Sequence, residues 1–201
     1  MKCHCEALRR VIEIYVSGYQ ADLSKYKRTK ESRSNHHRFV PAWNSINIID
    51  TLSYLRKLLI RRMPKESNMK SVKFIDCGCG IGNITILAYA AGFDVTGIEY
   101  DLATYKVAER LRQPGSKVIR GDITTYGNYA DYDVIYFYVP MICSKKMKKF
   151  LNRAMNDMKV GAFIISYGAY YGDYIRKDKR FEHKKNKVGA MFEKVKEINN
   201  K

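Results

Sequence analysis

The sequence predicts an α/β protein built on a doubly wound, mostly parallel sheet with a helical extension ahead of it. Three observations carry this. From residue 71 onward, short apolar runs alternate with amphipathic stretches, the pattern of strands joined by crossover helices. The first run ends in a glycine-rich loop, "FIDCGCGIGNIT" (74–85), where a strand passes into a helix. Ahead of residue 70 the apolar spacing is helical only.

Each element has its own signal. Leu8, Val11, Ile12, Tyr15, Tyr19 and Leu23 recur at helical spacing over residues 5–24. Residues 25–38, "KYKRTKESRSNHHR", have almost no apolar content and read as a basic loop. "FVPAW" (39–43) follows, then a second helical pattern from Ile46 to Leu59, ending near Arg62 with Pro64 as its stop. "VKFID" is the first strand and "ITILAYAAG" the first crossover helix, with Gly92 as its C-terminal signal. "DVTGIE", "KVIRGD", "YDVIYFYV" and "GAFIISYGAY" are the next four strands. "LATYKVAERLR" and "SKKMKKFLNRAMNDM" are helices between them, the former stopped by Pro114 and Gly115. The tail from Tyr171 is expected to add one or two edge strands, among them "VGAMFEKVKE". The expected division is a helical extension over 1–69 and a sheet domain over 70–201.

Composition narrows the class. The chain has 201 residues, 46% hydrophobic and 28% charged, a globular balance sufficient for a single core. Its 37 Lys and Arg against 20 Asp and Glu leave +17, which favours an anionic partner or an acidic surface. A Lys-rich proteome produces the same balance. The N-terminus lacks the uninterrupted apolar stretch of a secretory signal, and no run approaches the roughly 18 residues of a membrane span. Cys3, Cys5, Cys77, Cys79 and Cys143 are odd in number and unlike a disulfide framework, so a reducing, cytoplasmic setting is expected. "CHC" at the start and the alternating Cys77 and Cys79 each fall short of the four ligands of a closed zinc site, so no metal is expected.

The glycine loop points to a ligand. Gly78, Gly80 and Gly82 permit a sharp turn and close approach to the backbone, and the helix after them offers unpaired N–H groups. A dinucleotide fingerprint needs its third glycine at position 83, where Asn83 stands. Glu99 closes the second strand 21 residues after Gly78, placed to accept hydrogen bonds from both hydroxyls of a ribose. Asp122 closes the third, placed to read an adenine amino group.

With "FIDCGCGIG", "VTGIEYD" and "VIRGDI" in order, the sequence resembles the class I, Rossmann-like S-adenosylmethionine-dependent methyltransferases over roughly residues 70–170. That resemblance implies S-adenosylmethionine as cofactor. Asp76, Gly78, Cys79 and Gly80 would line its methionine part. Glu99 would hold the ribose, Tyr100 would pack on the adenine, and Asp122 with Ile123 would flank the adenine edge.

The acceptor is read from the segment after the fourth strand. Tyr138-Val139-Pro140 lacks the Asn-Pro-Pro-aromatic signature of many exocyclic-amine methylases. "FVPAW", "GIEYD", "YFYVP" and "VGAFIISYG" are similar instead to a group of small protein-lysine methyltransferases that includes enzymes acting on the ATP synthase c-subunit, a broad-specificity archaeal lysine methylase and, more distantly, the seven-strand histone-lysine methylases. There the upstream segment closes over the cofactor, which would bring in Phe39, Val40 and Pro41. Ile81-Gly82-Asn83 and Ala42 depart from that group's usual residues. Tyr138, at the strand end, and Pro140 are the candidate catalytic residues, with Trp43, Tyr136 and Phe137 as further slot aromatics. The rival partner is nucleic acid, favoured by 15 basic against 6 acidic residues over 1–70 and 7 against 2 over 174–187. A third reading is a non-catalytic relative that binds cofactor or nucleic acid without turnover.

Overall fold

The structure, a computed structural model, describes residues 45–65, 67–141, 143–167, 169–184 and 190–197. The expected first helix, the 25–38 loop, Phe39, Val40, Pro41 and Trp43, together with Cys3 and Cys5, lie outside the described residues.

The chain forms α1 (Ser45–Arg62), β1 (Lys73–Cys77), α2 (Asn83–Ala90), β2 (Asp94–Glu99), α3 (Leu102–Leu111), β3 (Lys117–Arg120), β4 (Val134–Tyr138), α4 (Ser144–Asp157), β5 (Phe163–Tyr167), α5 (Ala169–Arg176), β6 (Phe181–Lys184) and β7 (Ala190–Lys194). The seven strands make one sheet in the order β3-β2-β1-β4-β5-β7-β6. β1 to β5 pair in parallel, and β7 runs antiparallel to both β5 and β6. Strand order reverses between β1 and β4, the crevice where ligands bind in such sheets.

Helices cover both faces. Beneath one lie Ile75, Cys77, Ile135, Phe137, Ile164 and Phe192, packed against α4 and α5. On the other, Phe74, Val95, Val134, Tyr136, Phe163 and Met191 pack against α1 and α2. α4 shows why its sequence is helical: Met147, Phe150, Leu151, Ala154 and Met155 are buried, a single stripe at i, i+3, i+4, i+7 and i+8. α3 starts where Asp101 caps it, its Oδ1 accepting from Thr104 N at 3.0 Å and Thr104 Oγ at 2.9 Å.

Two expectations change. The fifth strand stops at Tyr167, and the residues after it turn into α5, which buries Tyr171 and Ile175. An i, i+4 apolar pair covering the sheet outweighed the β-propensity of the tyrosines. The tail forms both expected strands, but β7 inserts between β5 and β6 and only β6 lies at the edge.

Two polar anchors fix the inserted strand. Arg62, at the end of α1, makes a bidentate pair with Glu193 at 2.6 and 3.1 Å, and Lys184 reaches the same carboxylate at 2.9 Å. Burial works against the Glu193 carboxylate, but Arg62 and Lys184 outweigh it and hold its pKa below the usual range. Lys194 is fully buried. Its Nζ donates to Met158 O at 2.6 Å and Asn156 O at 3.2 Å and pairs with Glu197 at 2.8 Å. Those carbonyls lie at the end of α4, where intrahelical donors run out. Lys194→Met keeps most of the stem's volume and strips the donors. It is expected to cost about 2–4 kcal/mol in urea unfolding, the penalty of leaving buried acceptors unpaired. A midpoint equal to the parent's would show that the ammonium contributes nothing.

Candidate functional site at the carboxyl ends of β1, β2 and β4

β1 ends buried, and the chain turns back over its own sheet through three left-handed glycines, Gly78, Gly80 and Gly82, with φ of 82°, 58° and 95°. Gly78 N and Cys79 N both donate to Ile98 O on β2 at 2.9 Å. At Gly78 the glycine is obligatory on two counts: its φ is positive, and a Cβ there would stand 2.4 Å from Pro140 Cβ. The loop is therefore pressed against the segment that follows β4. The Cys79 thiol turns down onto β2, where a Cβ on Gly97 would come within 2.8 Å of its sulfur. Side chain and glycine are thus complementary, and Cys79 can offer a ligand in the cleft its backbone only. Burial, then the Asp76 charge, pushes both the Cys77 and Cys79 thiols well up, so neither is a ready thiolate for a metal or an attack. Among the described residues, no three His, Cys, Asp or Glu side chains gather as metal ligands.

Two carboxylates flank the loop. Glu99 clamps it: Oε2 accepts from Gly80 N at 2.9 Å and Oε1 from Asp101 N at 2.8 Å. A carboxylate has about four acceptor sites, so capacity remains for a ligand donor. Desolvation raises the Glu99 pKa to about 7, against the lowering effect of those backbone donors. Asp76 is 1% exposed, and its Oδ2 has no hydrogen-bond partner among the described residues. Burial first, and the Glu99 charge second, lift its pKa well above the carboxylate range. Residues 77–83 carry no basic side chain. The cradle therefore suits a ligand with a cation and hydroxyls better than one with phosphates. S-adenosylmethionine has both, and the residues present fit it.

The remaining candidates fall into three places. Asp122 builds the turn after β3: its Oδ1 accepts from Thr124 N at 2.7 Å, and its carbonyl from Thr125 N and Tyr126 N at 3.0 Å. Ile123 is buried, its carbonyl accepting from Tyr129 Oη at 2.7 Å. Tyr100 is half-buried beside Glu99. Tyr138 ends β4 at 36% exposure. Val139 follows with φ of 36°, a strained conformation for a β-branched residue, and Pro140 then lies on Gly78. Phe137 points to the opposite face, edge-on to Phe150 at 5.5 Å, and so leaves the slot.

One pair was missed by sequence reasoning. Tyr167 lies across from Tyr138 in register, and its hydroxyl is 2.8 Å from Thr51 Oγ on α1. Burial pushes the Tyr167 phenol up to about 12. Thr51 and Tyr167 are 116 positions apart in the chain, so only sheet order, absent from local patterns, could have paired them.

The comparisons agree with this geometry. Residues 75–166 match the family described as Methyltransferase domain. Among curated proteins, none matches the sequence significantly. Among solved structures, the fold is similar to an RNA methyltransferase from Salinibacter ruber in complex with S-adenosyl-L-homocysteine. The TM-score is 0.57 and the identity 17%, over 81% of this chain and 98% of that one. It is also similar to a TehB-like SAM-dependent methyltransferase from Corynebacterium glutamicum. There the TM-score is 0.53 and the identity 19%, over 75% of this chain and 96% of that one. The glycine loop, the paired carboxylates and the match of residues 75–166 to a methyltransferase domain agree on one activity: this is an enzyme that uses S-adenosylmethionine to transfer methyl groups, on a Rossmann-like fold.

Proposed function

We propose that the acceptor is an amine, the side chain of a lysine on a protein. The observation that supports this is the tyrosine face at the carboxyl ends of β4 and β5. Tyr138 stands at the opening, Tyr167 lies opposite it, and the Tyr136 ring sits behind, 6.0 Å from that of Tyr167. Bound S-adenosylmethionine supplies an activated methyl group on a sulfonium sulfur. In this reading Asp76, Gly78 and Gly80 hold its methionine end and Glu99 its ribose. Tyr100, Asp122 and Ile123 take the adenine, and Phe39, Val40 and Pro41 would contribute to the same cofactor site. A lysine amine with an ordinary pKa near 10.4 is neutral about once in a thousand molecules near neutral pH. Deprotonation costs roughly 4 kcal/mol, and desolvation among aromatic rings lowers that cost. Tyr138, backed by Pro140, would orient the amine in line with the methyl group, and the tyrosine face would exclude water.

Incubation with radiolabelled cofactor and a cell lysate tests the acceptor. The expected label survives nuclease, disappears with protease and is recovered as methyllysine. Tyr138→Ala is expected to lower kcat/KM at least tenfold, since a misplaced acceptor is slow to react, with the Kd for S-adenosylhomocysteine unchanged. Equal kcat/KM would remove Tyr138 from the slot. We place this reaction in the cytoplasm, in keeping with free thiols at Cys77, Cys79 and Cys143.

A second reading, nucleic acid as substrate, is favoured by α4. Lys145, Lys146, Lys148 and Lys149 are exposed at its start, and its first turn holds no acid. Cations there oppose the helix dipole, at about 0.3–1 kcal/mol each, so a polyanion would relieve them. The RNA methyltransferase from Salinibacter ruber shares the fold. Label lost on nuclease and retained after protease would establish this reading and overturn the first.

A further inference from the structure

Three buried side-chain oxygens lack hydrogen-bond partners among the described residues, Asp76 Oδ2, Tyr136 Oη and Ser166 Oγ. Ser166 is in register with Phe137, on the opposite face of the sheet, which leaves Asp76 Oδ2 and Tyr136 Oη together on this one. They belong to residues directly opposite each other on β1 and β4, 1% and 2% exposed. Buried polar atoms are nearly always paired, and an exception calls for a reason. Packing does not supply one for the Tyr136 hydroxyl. The ring stacks on Phe74 at 6.2 Å and lies 6.0 Å from Tyr167, contacts a phenylalanine would make equally well. The charged forms that bear on the hydroxyl after desolvation are Asp76, Tyr167 and Tyr138, all at the carboxyl end of the sheet.

We propose that Tyr136 Oη joins Asp76 Oδ2 in receiving the α-ammonium at the amino-acid end of the cofactor, which makes Tyr136 a specificity-determining residue outside the glycine motif. Residues paired on neighbouring strands project from the same face, the Asp76 charge bears on the Tyr136 hydroxyl, and one ammonium can donate charge-assisted bonds of about 2.8 Å to two such oxygens. The ammonium has donors for both oxygens, and the neutral phenol accepts through its lone pairs. A cation beside Asp76 also relieves the desolvation that lifts its pKa. The inference rests on the cofactor alone and stands whichever substrate accepts the methyl group.

Calorimetry on the full chain tests it with three probes. These are S-adenosylhomocysteine, its deaminated analogue and 5′-methylthioadenosine, which lacks the amino-acid end entirely. Tyr136→Phe is expected to weaken S-adenosylhomocysteine binding by about tenfold or more, the loss of a hydrogen bond to a charged group. Its affinities for the other two probes should match the parent's. Asp76→Asn should show the same selectivity, and thermal melts should confirm that both variants fold. Unchanged S-adenosylhomocysteine affinity in Tyr136→Phe would overturn the proposal. So would an equal loss for all three probes, which marks a structural role. A loss shared with the deaminated analogue but not with 5′-methylthioadenosine would overturn it too, by assigning the hydroxyl to the carboxylate.

Discussion

Gly78→Ala is expected to destabilise the protein by about 2–5 kcal/mol and to abolish cofactor binding. Part of the cost is conformational, roughly 1–2 kcal/mol for an L-residue held in the left-handed region, and Gly78 has φ of 82°. The rest is steric, about 1–3 kcal/mol for overpacking a filled site, because the new methyl would meet Pro140 Cβ at 2.4 Å. Neither side can yield easily. The loop is tied by Gly78 N and Cys79 N to Ile98 O, and Pro140 follows Val139, already at positive φ. Urea unfolding with an unchanged m-value would measure the loss. The double variant Gly78→Ala/Pro140→Gly should recover the steric part only. That gives a coupling energy of about 0.5–3 kcal/mol, as expected for residues in contact. Additive effects would show that loop and β4 end do not touch.

Glu99 carries the second large effect, with a sign that can be worked out. Without ligand its pKa is raised to about 7, so it is mostly protonated at about pH 6. Ribose hydroxyls donate to the ionised carboxylate and lower its pKa in the complex. Binding therefore releases a proton below neutral pH. The affinity for S-adenosylhomocysteine should rise with pH, by at most about tenfold per unit below pH 7, and level off above. Glu99→Gln should cost about 1–3 kcal/mol of binding at about pH 8, where the parent carboxylate is ionised. It should also flatten the profile near pH 7. Asp76, whose pKa is raised by burial and then by Glu99, titrates in the same direction. In the Glu99 variant its residual contribution should move to lower pH. A Kd that stays constant for the parent across this range would remove Glu99 as the ribose acceptor.

What was legible in the sequence was local. Apolar periods, Pro64, Pro114 and the glycines placed α1, the strands β1 to β4 and the helices α2, α3 and α4 to within a residue or two. Those signals act over a few positions: periodicity sets which face is buried, and proline and glycine set where an element must stop. Glu99 and Asp76 stood out as candidates because each lies at a strand end within a short motif, and strand ends are where this architecture opens. The tertiary structure decided what depends on strands meeting across long stretches of chain. β7 slots antiparallel between β5 and β6, because Arg62 and Lys184 await Glu193 and the end of α4 awaits Lys194. Tyr167 reaches Thr51, and Tyr136 faces Asp76, only because β4 lies between β1 and β5. The sequence by itself determined that a sheet would open onto a glycine loop and two carboxylates. Sheet order alone decided that Tyr136, with its own unpartnered buried oxygen, would lie opposite Asp76 in register, because no local pattern records which strands become neighbours.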